Sequence, residues 1–109
     1  MTISSGTTLA CRLLGAEFAA RKAKLSDDLF SHVVETIEEE TAFAFRFDPG
    51  DEIIGKIFEF IRDERQCCPF FAFDVQFAPD GGPAWLRIGG SAEAKRFLLD
   101  ELGIVLPAS

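Results

Sequence analysis

The stretch DPGDEIIGKIFEFIRDERQCCPFFAFDVQF (residues 48–77) changes from a helical to an extended pattern, and two adjacent cysteines sit at the change. Asp48-Pro49 is a helix-start signal, a capping residue followed by proline at the first helical position, and Asp51 and Glu52 put acidic charge where the helix dipole favours it. Ile53, Ile57, Phe60 and Ile61, flanked by Ile54 and Phe58, form a wide apolar face that needs a sheet to cover. Pro69 has no N–H and disfavours helical geometry at Cys68, so the helix is expected to stop at the Cys67-Cys68 pair. Phe71, Phe73, Val75 and Phe77 then alternate with Ala72, Asp74 and Gln76, which is the period of a strand.

The same patterns extend outward in both directions. Pro79-Asp80-Gly81-Gly82-Pro83 supplies a turn into a strand over residues 84–88, and Trp85 alternates against Leu86, away from Ala84 and Ile88. Trp85 therefore marks a second surface, covered by the last helix or by another chain. Ser91 caps that last helix, which carries Ala94, Phe97, Leu98 and Leu102 and ends at Gly103. Upstream, residues 42–47 place Phe43, Phe45 and Phe47 on one strand face, and they pair across a polar turn at 38–40 with a strand over 33–37. Residues 16–30 are rich in helix formers, although Leu25-Ser26-Asp27-Asp28 could equally cap a second, shorter helix. Residues 7–13 alternate as a strand, with Leu9, Cys11 and Leu13 on the core side.

These elements predict an α+β fold, residues 1–109 forming one domain. A ferredoxin-like βαββαβ core is extended by a C-terminal strand and helix, giving a mainly antiparallel sheet with helices packed on it. By analogy with that topology, the first strand lies centrally beside the fourth. Cys11 then shares one end of the sheet with Cys67 and Cys68, and His32 lies at the other.

Composition narrows the function. A domain of 109 residues can fold without disulfides or metal, and a formal charge of −7 opposes a nucleic-acid backbone or an anionic membrane as partner. No apolar run reaches the length of a spanning helix, and residues 1–10 lack the pattern of a signal peptide, so the cytoplasm is the expected compartment. There, three cysteines are expected as thiols that pack, react or bind metal rather than as a disulfide framework.

Cys67, Cys68 and Cys11 are the candidate metal ligands. Three thiolates suit a soft ion such as Cu(I), Hg(II) or As(III), whereas structural zinc would want a fourth ligand and a C-x-x-C spacing, both missing here. Asp63 and Glu64 could accept protons or position the neighbouring arginines, but at a charge-rich helix end they are read as a solvated face. No catalytic or organic-cofactor residues emerge: His32 is the only histidine, no Gly-x-Ser-x-Gly elbow occurs, and Gly81-Gly82 reads as a turn rather than a phosphate cradle. Three readings stand: a soft-metal or metalloid binding protein, a thiol-dependent redox protein, and an interaction module, such as a homodimer, whose cysteines only pack.

The segment ERQCCPFFAFDVQFAPDGGPAWLRIGG (residues 64–90) resembles small uncharacterised bacterial proteins with a Glu-Arg-x-Cys-Cys-Pro-Phe-Phe block, a Gly-Gly-Pro-x-Trp-Leu-Arg-Ile hairpin and a final helix. The similarity extends to residues 42–47 and the helix after them. The resemblance implies no particular activity.

Overall fold

The structure is a computed structural model and describes residues 16–102. The elements follow as α1 (Ala16–Phe30), β1 (Val33–Glu38), β2 (Ala42–Phe47), α2 (Asp51–Cys67), β3 (Ala72–Phe77), β4 (Ala84–Gly89) and α3 (Ala92–Leu102). The chain thus has the α+β class, with helices packed on an antiparallel sheet. The strand expected over residues 7–13 lies outside the described residues, as does Gly103. α1 is one continuous helix through Leu25-Ser26-Asp27-Asp28.

The strand order is β1-β2-β4-β3, each neighbouring pair antiparallel. β4 therefore occupies the seat between β2 and β3 that the sequence analysis gives to the first strand. Two features put it there. The turn after β3 is short, closed by Ala78 N–H to Pro83 O at 3.0 Å and Gly82 N–H to Pro79 O at 3.1 Å. Its Asp80 and Gly81 take φ of 60° and 69°, the left-handed region that glycine enters freely and aspartate tolerates. The other feature is cross-strand fit: Phe43, Phe45 and Phe47 of β2 lie opposite Ile88, Leu86 and Ala84 of β4, all buried.

All three helices cover that apolar face. Phe30 at the end of α1 meets Phe45 edge-on at 4.9 Å and Phe60 of α2 at 5.3 Å, and Phe60 meets Phe73 of β3 at 6.4 Å. α3 contributes Ala94 and Leu98 to the core, and its Lys95 ammonium lies 5.2 Å from the Phe43 ring centre. The last helix is therefore not what covers Trp85, which sits half-buried on the opposite face, registered between Arg46 and Gln76. On that face Arg87 chelates Glu39 at 2.7 and 3.1 Å, and this hydrogen-bonded guanidinium holds the Glu39 carboxyl below its ordinary pKa.

The caps divide. Ser91 Oγ accepts the Ala94 N–H at 3.0 Å, as expected. α2, however, begins at Asp51 with Gly50 as its cap and no side-chain cap bond. Asp48-Pro49 thus precedes the helix by two residues, because Gly50 takes an extended backbone that helical turns cannot pass through. Asp51 and Glu52 still fall in the first turn.

Phe45 is buried on a central strand, 2% exposed, and touches both the sheet and α1. Phe45→Ala is expected to lower unfolding free energy by about 3–5 kcal/mol, read as a lower urea midpoint at an unchanged m-value.

Candidate functional site

The buried stripe of α2 changes chemistry halfway along the helix. Ile57 and Phe60 are apolar, but the same stripe continues as Asp63, Glu64 and Cys67, the i, i+3, i+4, i+7 spacing of one helix face. Asp63, Glu64 and Cys67 are 1%, 0% and 4% exposed, and Cys68 is fully buried. The expectation that Asp63 and Glu64 form a solvated face is corrected here. The stripe that carries Phe60 into the core carries them in as well, and α1 brings the cations that neutralise them.

α1 and α2 run antiparallel, tied by Lys56 to Asp28 at 2.8 Å near one end and by Lys22 to Glu64 at 2.9 Å near the other. Lys22 shares the inward side of α1 with Ser26 and Leu29, four and seven residues on, both buried. Its side chain is only 13% exposed, so this ion pair is shielded from water on both sides. Asp63 Oδ1 lies 3.5 Å from both Arg21 and Arg62, whose heads reach into solvent while their stems cover the carboxylate. Asp63 Oδ2 is buried and, among the described residues, accepts no hydrogen bond.

The helix ends where Pro69 requires. Cys67 is its last residue, and Cys68 has left helical geometry at φ −129° and ψ 76°, its N–H donating to Glu64 O at 2.7 Å. Phe71 N–H then donates to Cys68 O at 3.3 Å, turning the chain into β3. Phe70 and Phe71 pack against Phe97 of α3 at 5.1 and 6.1 Å, and Phe71 joins both cysteines in the buried core cluster.

The two neighbours differ in oxidation state. Cys68 is disulfide-bonded, whereas Cys67 is a buried thiol. This departs from the expectation that the cysteines are all thiols. Cys11 lies outside the described residues. Among those residues no group of three or more histidine, cysteine, aspartate or glutamate side chains is arranged to hold a metal ion. His32, 45% exposed and 4.0 Å from Asp28, sits beyond the far end of the α1–α2 pair. The site thus joins Cys67, Cys68, Glu64 and Lys22, with Asp63 and Arg21 beside them. No protein-family model matches the chain, and neither does any curated protein or solved structure.

The sequence reading missed Lys22 and misplaced Glu64. The signal for both was periodic: positions 57, 60, 64 and 67 are one stripe, and positions 22, 26 and 29 are another.

Breaking a buried ion pair from one side leaves an uncompensated charge, at about 3–5 kcal/mol. Lys22→Met is therefore expected to destabilise by about that amount, and Lys22→Met with Glu64→Leu to regain most of it. A double-mutant cycle by chemical denaturation checks both.

Proposed function

We propose that this chain is a thiol–disulfide redox protein centred on Cys68 and its neighbour Cys67, whose reduced form offers Cys67, Cys68 and Cys11 as thiolate ligands to a soft metal or metalloid ion. The observation that carries the reading is a disulfide at Cys68 directly beside a buried thiol. Cys11 is the only other cysteine in the chain and so the intramolecular partner in this proposal. A core of this size needs no staple, and in the cytoplasm, the compartment the sequence suggests, a disulfide is a state to be entered and left. A dithiol reductant would convert the bond to two thiols and itself to a disulfide. Only that reduced form carries three thiolates, the donor set that selects soft ions.

A second reading, association of two copies, draws on a different surface. Phe58 and Phe77 are 51% and 46% exposed, with ring centres 6.5 Å apart, beside β3 at the edge of the sheet. Sedimentation equilibrium across a concentration series, compared with Phe77→Lys, tests that alternative.

The redox reading is tested by alkylation under denaturing conditions and intact mass. The oxidised protein is expected to take one alkyl group and the dithiol-reduced protein three, with a single two-electron transition in a redox-buffer titration. Reduced protein is also expected to retain one As(III) by native mass spectrometry, whereas the oxidised form and the Cys67→Ser, Cys68→Ser variant retain none. Three alkyl groups after every oxidising treatment would overturn the reading.

A further inference from the structure

The outer strands of the sheet are β1 and β3, and only one of the two edges is guarded. A strand edge offers unpaired N–H and C=O groups to any other strand, and proteins blunt it with bulges, charges or proline. β1 carries an irregularity in register between Val33 and Glu35 and the acids Glu35 and Glu38. β3 has none of these devices apart from Asp74, and it pairs with β4 without a break from Ala72 to Phe77. Its outward groups can be assigned. Ala78 N–H donates to Pro83 O, one step beyond the Phe77–Ala84 pair, and hydrogen-bonded pairs alternate along an antiparallel ladder. Ala72, Asp74 and Gln76 therefore bond β4, while Phe73, Val75 and Phe77 turn their N–H and C=O groups away from it. Among the described residues no strand takes those groups up. The side chains of the same three residues share the helix-facing side with Ile88, Leu86 and Ala84, and there Phe77, 46% exposed, lies beside Phe58.

We propose that β3 joins β3 of a second copy, antiparallel about a two-fold axis at Val75, so that two four-stranded sheets become one. The proposal rests on the second reading above, association of two copies, and gives it a register. Val75 of each copy exchanges both backbone bonds with its mate, and Phe73 does so with Phe77 of the other copy. Every outward group of the strand is then satisfied. On the helix-facing side Phe73, Val75 and Phe77 meet the same three residues of the second copy, and each exposed Phe77 gains a Phe73 as cross-strand neighbour, an aromatic pair of the kind that stabilises sheets. On the other side Asp74 faces Gln76 of the second copy. Charge and bonding select this register over its neighbours. Centring the pair on Asp74 would set two carboxylates directly opposite, where like charges repel. Centring it on Gln76 would set Phe73 against Pro79, which has no N–H to give. A slip of one residue would turn the apolar side chains toward Asp74 and Gln76.

Sedimentation equilibrium gives the dimer dissociation constant of the full chain, and Val75→Pro deletes one outward N–H per copy without touching the β4 ladder, a position where an edge strand accepts proline. The variant is expected to keep the wild-type circular dichroism and to dimerise about 30-fold more weakly, the loss of two hydrogen bonds per dimer. Asp74→Cys mixed with Gln76→Cys under mild oxidation is expected to give a disulfide-linked pair, because opposed residues of a non-hydrogen-bonded pair lie about 4.5 Å apart at Cα, within disulfide reach. Either variant alone holds its new sulfurs on diagonal positions roughly 7–8 Å apart and is expected not to link. The mixing experiment carries the test if the proline variant does not fold. A wild type that stays monomeric across the concentration series removes the association reading and this proposal with it. A wild-type dimer that a folded Val75→Pro leaves equally tight, or that gives no mixed crosslink, leaves that reading standing and removes β3 as the seam.

Discussion

The antiparallel seam between β2 and β4 is the constraint on which the remainder of this structure depends. It joins two hairpins that are each local in sequence, and it brings Phe43, Phe45 and Phe47 alongside Ile88, Leu86 and Ala84. Without that shared apolar surface the helices would have nothing continuous to cover. The seam also tolerates no side chain at Gly89, where a Cβ would run into the Thr41 carbonyl oxygen and Ala42, and the Gly90 N–H bonds that same carbonyl at 3.1 Å. Because β4 is held against β2 in this way, the start of β3, and with it the Cys68 turn, is fixed relative to the sheet.

The chemistry at the end of α2 follows from a helix whose buried stripe runs on to its last residue while its sequence stops being apolar. A helix face that ran on in leucine past Phe60 would serve the core equally well. Here it carries two carboxylates and a thiol, and α1 supplies an arginine and a lysine to meet them. Asp63 and Glu64 are treated differently: the first is screened by exposed arginines, the second is held by a lysine that is itself mostly covered.

Most of the architecture was legible in the sequence because its signals are local. The alternation of residues 42–47, the stop imposed by Pro69 and the Ser91 cap each depend on a handful of neighbours, and each appears where the pattern puts it. The strand order was not legible in the same way. Ferredoxin-like analogy seated a strand between β2 and β3, but the choice depends on which apolar faces match across the sheet, and that is a long-range fit. The burial of Glu64 escaped for a related reason. Charge suggests solvent, and only a partner more than forty residues away in sequence, Lys22, makes the buried position tolerable. The disulfide at Cys68 escaped because compartment arguments speak to cysteines in general and not to one sulfur in one place.

The ion pairs between α1 and α2 also encode direction. α1 presents a base, Lys22, toward one end and an acid, Asp28, toward the other, while α2 presents Glu64 and Lys56 in the complementary order. If α1 lay on α2 the other way round, Lys22 would face Lys56 and Asp28 would face Glu64, two like-charge meetings, one of them involving a carboxylate with no access to water. Apolar surface alone cannot tell a helix from its reverse, since leucine and phenylalanine pack either way. The two charged crossings work as a polarity key, so the buried Glu64 that meets Lys22 also tells the first helix which way to lie.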